Sequence, residues 1–458
     1  MSLLTPVLRD AVPRRGGPRD STAAADGPSW VPTRALGRAV ILTGLLLLAA
    51  VAFGRVDLVV LAVPFALGTV LALRRPPLER PVVGIAVPEQ FLAEGGELNP
   101  TISVGNRDVV TYDLVVVRCD FGRWLDVKHG DRPYVAAVSA GDIADVPLHG
   151  EALRWGRHAV GPVEAQAVAC DGLLRSLPTR LPAQGLKVYP VTEPFRAAEA
   201  MPRAAGLVGG HRSRRPGQGG ELAGVRMFAP GDRLRRIDWR VSLRTRQLHV
   251  AATLSDRDAE VVLLLDVLTE AGQSGGVHGA ASVLDTTVRA SAAISEHYLQ
   301  RGDRVSLLEY GFRARRLRPA SGRRQYLTIL EWLLEVKASP SANEPGSYFY
   351  GPHMLSSNAL VVVLTPLIEQ RTPAMLARLS RAGRFVVAVD TLPPGLPPPE
   401  RGLWGEVSYR LWQLERENMI GALKEHGVPV VAWAGTGSLD QVLRDVSRLA
   451  AAPRVIVR

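Results

Sequence analysis

The sequence Val-Val-Leu-Leu-Leu-Asp at residues 261–266 is the stretch that best defines the fold of this chain. Consecutive apolar side chains in a short run indicate a strand that is buried on both faces, as the strands of parallel sheets are. Two later runs share the pattern, Leu-Val-Val-Val-Leu-Thr at 360–365 and Phe-Val-Val-Ala-Val-Asp at 385–390. Residues 305–309 and 428–434 predict two further strands.

Amphipathic segments separate these strands. Within residues 280–301, apolar side chains recur at helical spacing, which predicts a helix that buries one face. The same reasoning predicts helices at 325–336, 372–382, 411–426 and 439–449. Because strands alternate with helices, we expect an α/β doubly wound, Rossmann-type domain over residues 258–458.

The carboxyl ends of the predicted strands carry polar side chains. Asp266, Thr365 and Asp390 each close a buried run. Ligands of open α/β sheets bind beyond the carboxyl ends of the strands. These three residues therefore mark the edge of the sheet where a binding site is expected.

An arginine-rich segment precedes this domain. Residues 226–250 read RMFAPGDRLRRIDWRVSLRTRQLHV, with seven arginines opposed only by Asp232 and Asp238. So many cations cannot lie in an apolar interior without partners. The segment therefore predicts either a surface for an anionic partner or a network of arginine–carboxylate pairs.

Our hypothesis for this segment is that Asp232 and Asp238 pair with arginines above a packed Trp239, while the remaining arginines face an acidic partner or anionic lipid. The arginines considered for these pairs are Arg226, Arg236 and Arg244. Nucleic-acid binding is the less favoured alternative, because phosphate contacts alone would not require acids at fixed places among the arginines. No nucleic-acid partner is expected.

Residues 81–190 show short alternating runs separated by turn signals, which is typical of a β-sandwich-like domain. The runs lie at 82–87, 101–104, 113–117 and 158–163. The following residues 200–257 are interpreted as a signature loop segment, rich in glycine and arginine at its start. No phosphate-binding Gly-x-x-x-x-Gly-Lys-Ser/Thr pattern occurs there.

Two apolar runs near the N-terminus, 39–54 and 56–73, are separated only by a short polar break containing Arg55 and Asp57. Each approaches the roughly 20 residues that cross a bilayer. We expect a two-helix transmembrane hairpin over residues 35–75. A cleaved signal peptide and a buried soluble hairpin are the alternatives, and both fit less well.

Arginines flank both ends of this predicted hairpin, at positions 34, 38, 74, 75 and 80. Positive charges stay on the cytoplasmic side of a membrane. We therefore expect a multi-pass membrane protein with both termini and the soluble domains in the cytoplasm. Residues 1–34, rich in Pro, Gly, Ala and Arg, predict a disordered tail.

The net charge of +11 is concentrated in the two regions just described. Eleven arginines face three acids between residues 201 and 250, so the protein is not uniformly basic. Cys119 and Cys170 are the only cysteines, which is too few for a disulfide framework and consistent with reduced thiols.

The segment 219–250 resembles the signature of the bacterial domain-of-unknown-function fifty-eight family. That signature reads Gly-x-Glu-Phe, then Arg-Glu-Tyr-x-Pro-Gly-Asp-Asp, Ile-Asp-Trp-Lys and Ser-Ala-Arg. Leu222, Met227, Arg233 and Leu243 depart from it. Two of these changes, Met227 for Glu and Arg233 for Asp, remove acids and make the segment more basic. The matching residues, in order, are Glu221, Arg226, Pro230, Gly231, Asp232, Arg236, Ile237, Asp238, Trp239, Ser242, Arg244 and Leu248.

The resemblance also implies a domain organisation and a function. Members of this family combine an N-terminal membrane hairpin, a β-rich region and a von Willebrand factor A-like domain, the order expected here over residues 39–450. It implies a membrane-tethered partner of MoxR-type AAA+ ATPases that acts on an unknown client protein. No enzymatic activity is established for the family, so the resemblance favours a scaffold.

Domains of the von Willebrand factor A type often bind Mg²⁺ through Asp-x-Ser-x-Ser and further hydroxyl and carboxylate oxygens. Here the first loop reads Asp266-Val267-Leu268-Thr269-Glu270, and Leu268 offers no side-chain oxygen. Asp266, Glu270 and Thr365 remain as weak metal candidates. We therefore expect no cofactor, with a degenerate site preferred over bound Mg²⁺.

Together with the residues, the resemblance implies a non-catalytic scaffold, tethered to the bacterial inner membrane, that presents a cytosolic surface to a MoxR-type AAA+ ATPase and its client. The alternative is a metal-dependent adhesion module or enzyme that uses Asp266. No histidine, cysteine or serine lies in a recognised catalytic or metal-binding pattern.

Overall fold

The structure is a computed structural model. It describes residues 29–88, 91–191, 216–229, 237–254, 260–312, 315–340, 355, 359–396 and 403–433. The chain divides into two compact units, one ending at Tyr189 and the other beginning at Pro190. Each unit is described by itself. Residues 1–28 of the predicted disordered tail (1–34) and the predicted helix 439–449 lie outside the described residues. The end of the predicted tail is ordered, because residues 30–32 pair as a strand and a helix begins at Arg34.

The first unit opens with strand β1 (Trp30–Pro32) and two apolar helices, α1 (Arg34–Phe53) and α2 (Val56–Ala72), which contact each other. Gly54 ends α1 in a left-handed conformation with φ of 63°, which glycine adopts without a steric cost. Arg55 follows and precedes α2, so only two residues connect the helices.

Helix α1 is long and apolar enough to cross a membrane, and only 6% of its most apolar stretch is buried. Helix α2 has 17 residues and a length of about 25 Å, somewhat less than the ~30 Å hydrocarbon layer. The structure thus supports one candidate span near the N-terminus, an anchor or a signal sequence, and does not support the expected multi-pass topology.

The rest of the first unit consists of strands. These are β2 (Val82–Ala86), β3 (Phe91–Ala93), β4 (Glu97–Leu98), β5 (Thr101–Gly105), β6 (Tyr112–Phe121), β7 (Leu125–Val127), β8 (Tyr134–Val138), β9 (Ile143–Pro147), β10 (Gly150–Ala152), β11 (Gly156–Ala169), β12 (Leu174–Ser176), β13 (Thr179–Leu181) and β14 (Gln184–Tyr189). They form an eight-stranded sheet around β11 and two three-stranded sheets, β4-β10-β7 and β2-β5-β9.

These sheets share one hydrophobic core. Alternate residues of β5, β6 and β11 point into it, among them Ile102, Val117 and Val163, each with no exposed surface. The alternation of buried and exposed side chains along a strand is what a sheet with one covered face requires. An all-β region therefore follows the apolar helices, in the order that the sequence predicts.

The helices are fastened to this β-structure at their base. Strand β1 pairs with β12, and Thr33 donates its hydroxyl proton to the carbonyl of Gly172 at 2.7 Å. Trp30 donates from Nε1 to the carbonyl of Glu79 at 2.8 Å, and its ring lies 5.5 Å from that of Tyr112. The last turn of α2 also packs on the core.

Both cysteines are free and buried in this unit. Burial raises the pKa of the Cys119 thiol to about 12. A thiol that stays protonated is a poor nucleophile.

The second unit contains the signature segment and the α/β region. Its strands are β15 (Pro216–Met227), β16 (His249–Leu254), β17 (Glu260–Asp266), β18 (Arg304–Tyr310), β19 (Arg316–Ala320), β20 (Leu360–Thr365), β21 (Phe385–Asp390) and β22 (Val430–Ala432). Its helices are α3 (Trp239–Thr245), α4 (Val283–Gln300), α5 (Arg323–Leu333), α6 (Arg371–Arg381) and α7 (Leu403–Glu425).

Six strands form one sheet in the order β19-β18-β17-β20-β21-β22. All neighbours are parallel except β18 and β19. Counted from β17 in chain order this is 3-2-1-4-5-6, the strand order of doubly wound folds. Strand β17 is buried at all seven positions, which explains why its sequence is apolar throughout.

The main elements of this region lie where the sequence predicts them, with two differences. Strand β19 was not predicted, because its sequence Arg-Leu-Arg-Pro-Ala is polar and contains a proline, which only an edge position tolerates. Helix α7 begins at Leu403, well before the predicted start at residue 411, although Gly405 lowers the helix propensity of this first part.

Helix α4 contains a buried histidine. His297 is 7% exposed, and its pKa is lowered to about 4, first by burial and second by the nearby Arg301. In the unfolded chain the same group has its ordinary pKa of about 6.5. Between these values the unfolded chain binds more protons, so stability contributed by neutral His297 is present above pH 6.5 and lost as the pH falls toward 4.

We therefore expect the contribution of His297 to the free energy of unfolding to decrease between pH 6.5 and 4, so that His297→Gln loses less stability than wild type over this range. The measurement is chemical denaturation of the full chain in detergent across this pH range. His426→Gln is the matched control, because His426 is exposed. Parallel pH profiles of wild type and His297→Gln would contradict the prediction.

Candidate functional site

The strand order of the α/β sheet reverses direction between β17 and β20, at its topological switch point. The last residues of these neighbouring strands are Asp266 and Thr365. Crevices at such a point are the usual ligand sites of open α/β sheets. The structure thus brings together two of the three weak metal candidates at the place where a ligand is expected.

Asp266 accepts three hydrogen bonds there. Thr365 and Thr372 donate their hydroxyl protons to Oδ2, each at 2.7 Å, and the backbone amide of Leu268 donates to Oδ1 at 3.1 Å. All three side chains around Oδ2 are buried, and Asp266 itself is 4% exposed. We call Asp266, Thr365 and Thr372 the switch-point cluster.

Burial raises the pKa of Asp266, and the hydrogen bonds from Thr372, Thr365 and the Leu268 amide oppose that rise. The negative charge of Glu369 adds to it. The carboxylate is therefore held in an environment that favours the protonated form more than water does. Perturbed carboxyl groups in a crevice are candidates for functional sites.

A second layer of polar groups surrounds the cluster. Thr269 donates its hydroxyl proton to Oε1 of Glu369 at 2.9 Å, and Arg371 contacts Oε2 of the same carboxylate from Nε at 2.7 Å. These contacts join the loop after β17 to the start of α6. They also neutralise the charge of Glu369 beside Asp266.

Arg416 of α7 lies at the adjacent strand end. It forms an ion pair with Asp390 at 2.5 Å and donates two hydrogen bonds to the carbonyl of Pro366, at 3.2 and 3.0 Å. Both side chains of the pair are mostly buried. A guanidinium group therefore satisfies the carboxylate that ends β21.

Backbone strain occurs in the same loop. Leu367 has φ of 50°, a left-handed conformation that costs a leucine about 1–2 kcal/mol. Its amide donates to the Thr365 hydroxyl at 3.1 Å, which helps to hold the strained turn. Strained residues of this kind concentrate at functional sites.

The oxygen atoms at the switch point are already engaged in hydrogen bonds and ion pairs. Within the described residues, no three His, Cys, Asp or Glu side chains come together in a group that could hold a metal ion. Glu270 is exposed, and the neighbouring carboxylates of Glu369 and Asp390 already pair with arginines. Both oxygens of Asp266 accept hydrogen bonds as well, so binding of Mg²⁺ would require these hydrogen bonds to rearrange.

The signature segment is a β-hairpin with a helix in its connection, in place of the expected loop. Strands β15 and β16 pair in antiparallel orientation, with Arg226 opposite Val250. Helix α3 lies between them. Pro230, Gly231, Asp232 and Arg236 lie outside the described residues, and of Glu221 the structure describes only its backbone in β15.

Asp238 starts helix α3. Its carboxylate accepts a hydrogen bond from the amide of Val241 at 3.1 Å, the arrangement of an N-cap. The hydroxyl of Ser242 donates to the Asp238 carbonyl at 2.7 Å and accepts from the His249 amide at 2.9 Å, which fastens the helix to β16. The role of Asp238 is therefore local.

The expected packing of Trp239 is wrong. Its side chain is 62% exposed, because Trp239 is the first residue of α3 and points away from β16 while Ser242 occupies the inner face. Among the described residues, no ion pair joins Asp238 to Arg226 or Arg244, and both arginines are exposed. Arg226 donates instead to the Met227 carbonyl at 3.0 Å.

The helix instead presents a mixed apolar and basic surface. Leu243 is 78% exposed, one turn after Trp239 and on the same side of the helix. Arg240 and Arg244 are exposed beside them, as is Arg246 at the helix end. We call these five residues the α3 surface.

Loss of the N-cap is expected to weaken the hairpin. Asp238→Ala should lower the free energy of unfolding by about 1 kcal/mol, because it leaves the Val241 amide without its acceptor. Asp238→Asn retains an acceptor and should cost much less. Trp239→Ala should change stability by less than about 0.5 kcal/mol, since the ring is exposed. The three variants are compared by thermal unfolding in detergent, and a large loss for Trp239→Ala would contradict this assignment.

Sequence reasoning missed two residues of the site. Thr372 lies on a predicted helix rather than at a strand end, and Arg416 also lies on a predicted helix, far along the chain from the strand ends that it contacts. Only the strand pairing shows that both reach the switch point. A hydroxyl in the first turn of the helix that follows a Thr-ended strand is the signal that would have identified Thr372.

Residues 224–397 match a family described as "Protein of unknown function DUF58". Two uncharacterised relatives are protein Rv1480 of Mycobacterium tuberculosis (strain ATCC 25618 / H37Rv) and protein Mb1516 of Mycobacterium bovis. Each is 32% identical over 136 residues, which cover 30% of this chain and 42% of the relative. The chain therefore matches less than half the length of these relatives.

Similar solved structures include a FixG-related protein from Vibrio parahaemolyticus, at 9% identity and a TM-score of 0.18, covering 24% of this chain and 97% of that one. A cohesin module from Clostridium perfringens shows 15% identity and a TM-score of 0.17, covering 24% and 96%. TM-scores this low do not define a shared fold.

Proposed function

We propose that this chain is a non-catalytic, membrane-tethered scaffold that presents a cytosolic surface to a MoxR-type AAA+ ATPase and its client protein. The observation that carries the tether is the exposed apolar surface of α1 and α2. Leu45, Leu48 and Val51 of α1 are 60%, 71% and 87% exposed, and Val60 of α2 is 68% exposed. Contiguous apolar surface of this kind requires a bilayer or a protein to cover it.

The proposal places both helices in the bacterial inner membrane as a hairpin. The two-residue connection at Gly54 and Arg55 supports it, as do the contacts between the helices. A shorter second helix is tolerated, because a bilayer thins locally around a short span at modest cost. With arginines on both flanks, the two units would face the cytoplasm.

The α3 surface is the proposed docking site for the partner. Trp239 and Leu243 supply exposed apolar area, and Arg240, Arg244 and Arg246 surround them with positive charge. Tryptophan and arginine are the residues that most often dominate binding energy at protein interfaces. The identity of the ATPase follows from the family resemblance, and the basic charge favours an acidic surface on it.

The α/β region is proposed to be a von Willebrand factor A-like domain. Its strand order and the polar cluster at its switch point support this assignment. In this proposal the switch-point cluster stabilises the loops at the carboxyl ends of β17 and β20, and no step of chemistry is required of it.

The test is crosslinked isolation of the tagged full chain from native membranes, with bound proteins identified by mass spectrometry. An ATPase of the proposed class should be recovered with wild type. Arg240→Ala/Arg244→Ala should reduce its recovery about tenfold, which corresponds to about 1.4 kcal/mol of binding energy. Arg323→Ala/Arg324→Ala removes the same charge from another exposed site and serves as the control. Recovery of no ATPase with wild type would refute the partner assignment.

A metal-dependent adhesion module or enzyme centred on Asp266 is the second candidate. The contact between Asp266 and Thr365 at the switch point favours it. It ranks lower because both oxygens of Asp266 already accept hydrogen bonds and the nearby carboxylates of Glu369 and Asp390 pair with arginines. Equilibrium dialysis of the full chain in detergent with Mg²⁺ or Mn²⁺ decides: one tightly bound ion per chain, lost in Thr365→Val, would establish this candidate.

A further inference from the structure

Helix α7 (Leu403–Glu425) has an inner face that packs against its own domain. Tyr409 donates its hydroxyl proton to the Leu396 carbonyl at 2.7 Å, Arg416 binds Asp390 and Pro366, and Leu423 is 3% exposed. These positions recur every seven residues. They therefore define one continuous face of the helix, already in contact with the domain.

The opposite face of α7 is apolar and exposed. Trp404, Val407, Leu411 and Leu414 are 80%, 44%, 57% and 56% exposed. Their spacing of three, four and three residues is that of the a and d positions of a coiled-coil heptad. The three residues of the inner face all fall at the f position, on the far side from this seam.

The polar residues beside the seam also follow the heptad. Asn418 occupies the next a position, where asparagine selects the register and the number of strands. Arg410 and Glu415, both exposed, occupy a g position and the following e position. In a parallel pair of helices, a g residue of one helix meets the next e residue of the other.

We propose that α7 binds the α7 helix of a second copy of this chain, in parallel and about a two-fold axis. Because a two-fold interface is self-complementary, the contact between Arg410 and Glu415 of the second copy occurs twice. The apolar residues of the two seams cover each other, and the two Asn418 side chains meet across the axis. This pairing goes beyond the proposed scaffold function and does not depend on its ATPase partner.

Charge reversal tests whether two α7 helices pair in the proposed parallel geometry. In homodimers of Arg410→Glu or of Glu415→Arg, both g–e contacts become repulsive, whereas a mixed dimer of the two variants contains only attractive contacts. The measurement is co-isolation of two differently tagged full chains after brief crosslinking in native membranes. We expect the co-isolated fraction of each variant with itself to be at least about threefold lower than that of wild type. In the mixture of the two variants we expect this fraction to return to the wild-type level.

The mixed sample controls for effects inside each helix. Arg410 forms an i,i+4 ion pair with Glu406 at 3.0 Å, which Arg410→Glu destroys in homodimer and mixture alike. Restored pairing in the mixture therefore cannot come from that ion pair. A mixture that pairs no better than either variant alone would overturn the proposal.

A photocrosslinker at the seam identifies what covers it. Leu411→Cys is labelled with a benzophenone maleimide, and Gln413→Cys, on an exposed position outside the seam, is the matched control. The native cysteines are buried and should label poorly. We expect position 411, unlike position 413, to crosslink to α7 of a second chain, as read by gel mobility and mass spectrometry. Crosslinks to residues 434–458 of the same chain, to lipid or to another protein would each overturn the proposal.

Discussion

Asp266→Ala is expected to lower the free energy of unfolding by about 3 kcal/mol at pH 7, because it leaves the hydroxyls of Thr365 and Thr372 and the amide of Leu268 without their shared acceptor. A buried polar group without a partner costs about 1–3 kcal/mol. Relief of the buried charge offsets part of the sum. Chemical denaturation of the full chain in detergent measures the difference.

The pH dependence of this loss gives a second readout. Because burial raises the folded-state pKa of Asp266, the stability it contributes is greatest below its unfolded pKa and declines as the pH rises through the folded value. The gap between wild type and Asp266→Ala should therefore be widest in acid and narrow toward neutral pH. A gap that widens with rising pH would mean that the carboxyl group is stabilised mainly as the anion.

Two further variants measure how much each threonine hydroxyl of the switch-point cluster contributes to stability. Thr365→Val and Thr372→Val each remove one donor and should cost about 1 kcal/mol, less than Asp266→Ala. Glu406→Ala, at an exposed position of α7, is the control and should change stability by less than about 0.5 kcal/mol. Equal losses in all four variants would show that the cluster does not act as described.

Leu45→Arg is expected to release the chain from the membrane. A charge at the centre of a spanning helix costs about 3 kcal/mol, which lowers the insertion equilibrium about a hundredfold. Leu45 lies near the middle of α1 and is 60% exposed, so the arginine would face hydrocarbon. The fraction of chain that resists alkaline extraction from membranes is the measurement.

The matched control for this substitution is Val109→Arg. Val109 is 84% exposed in the β-structure of the first unit, so an arginine there should leave membrane association unchanged. If Leu45→Arg is retained as firmly as wild type, α1 does not span the bilayer. If wild type itself is extracted in aqueous buffer, the tether is wrong altogether.

The sequence predicts the α/β region well because buried parallel strands leave a simple pattern. Strands β20 and β21 occupy the predicted residues, since every side chain in them is apolar up to the polar residue at the end. The signature segment is harder. The motif can be identified from the sequence, but it does not indicate which of its side chains face inward. We expected Trp239 in the interior, whereas the buried residue of helix α3 is Ser242.

The site itself depends on contacts that no local pattern encodes. Asp266 and Thr372 lie 106 residues apart, and their hydrogen bond follows from the parallel pairing of β17 with β20. The sequence indicates that Asp266 ends a strand, but it does not indicate which hydroxyl will reach it. The heptad seam of α7 was missed for another reason: the predicted helix began at Leu411 and left out its first two apolar positions.

The order of strands in the α/β sheet has a consequence for how the chain folds while it is being synthesised. Strand β17 is the centre of its sheet, yet its neighbour β20 begins at Leu360, about a hundred residues later. Such distant parallel partners make for slow folding. The first unit is complete at Tyr189 and can mature during translation. Strand β17 can pair with β18 once residue 310 is made, but its other edge stays unpaired until β20 has been synthesised. Chaperone dependence should therefore be confined to the interval in which residues 267–359 are being made.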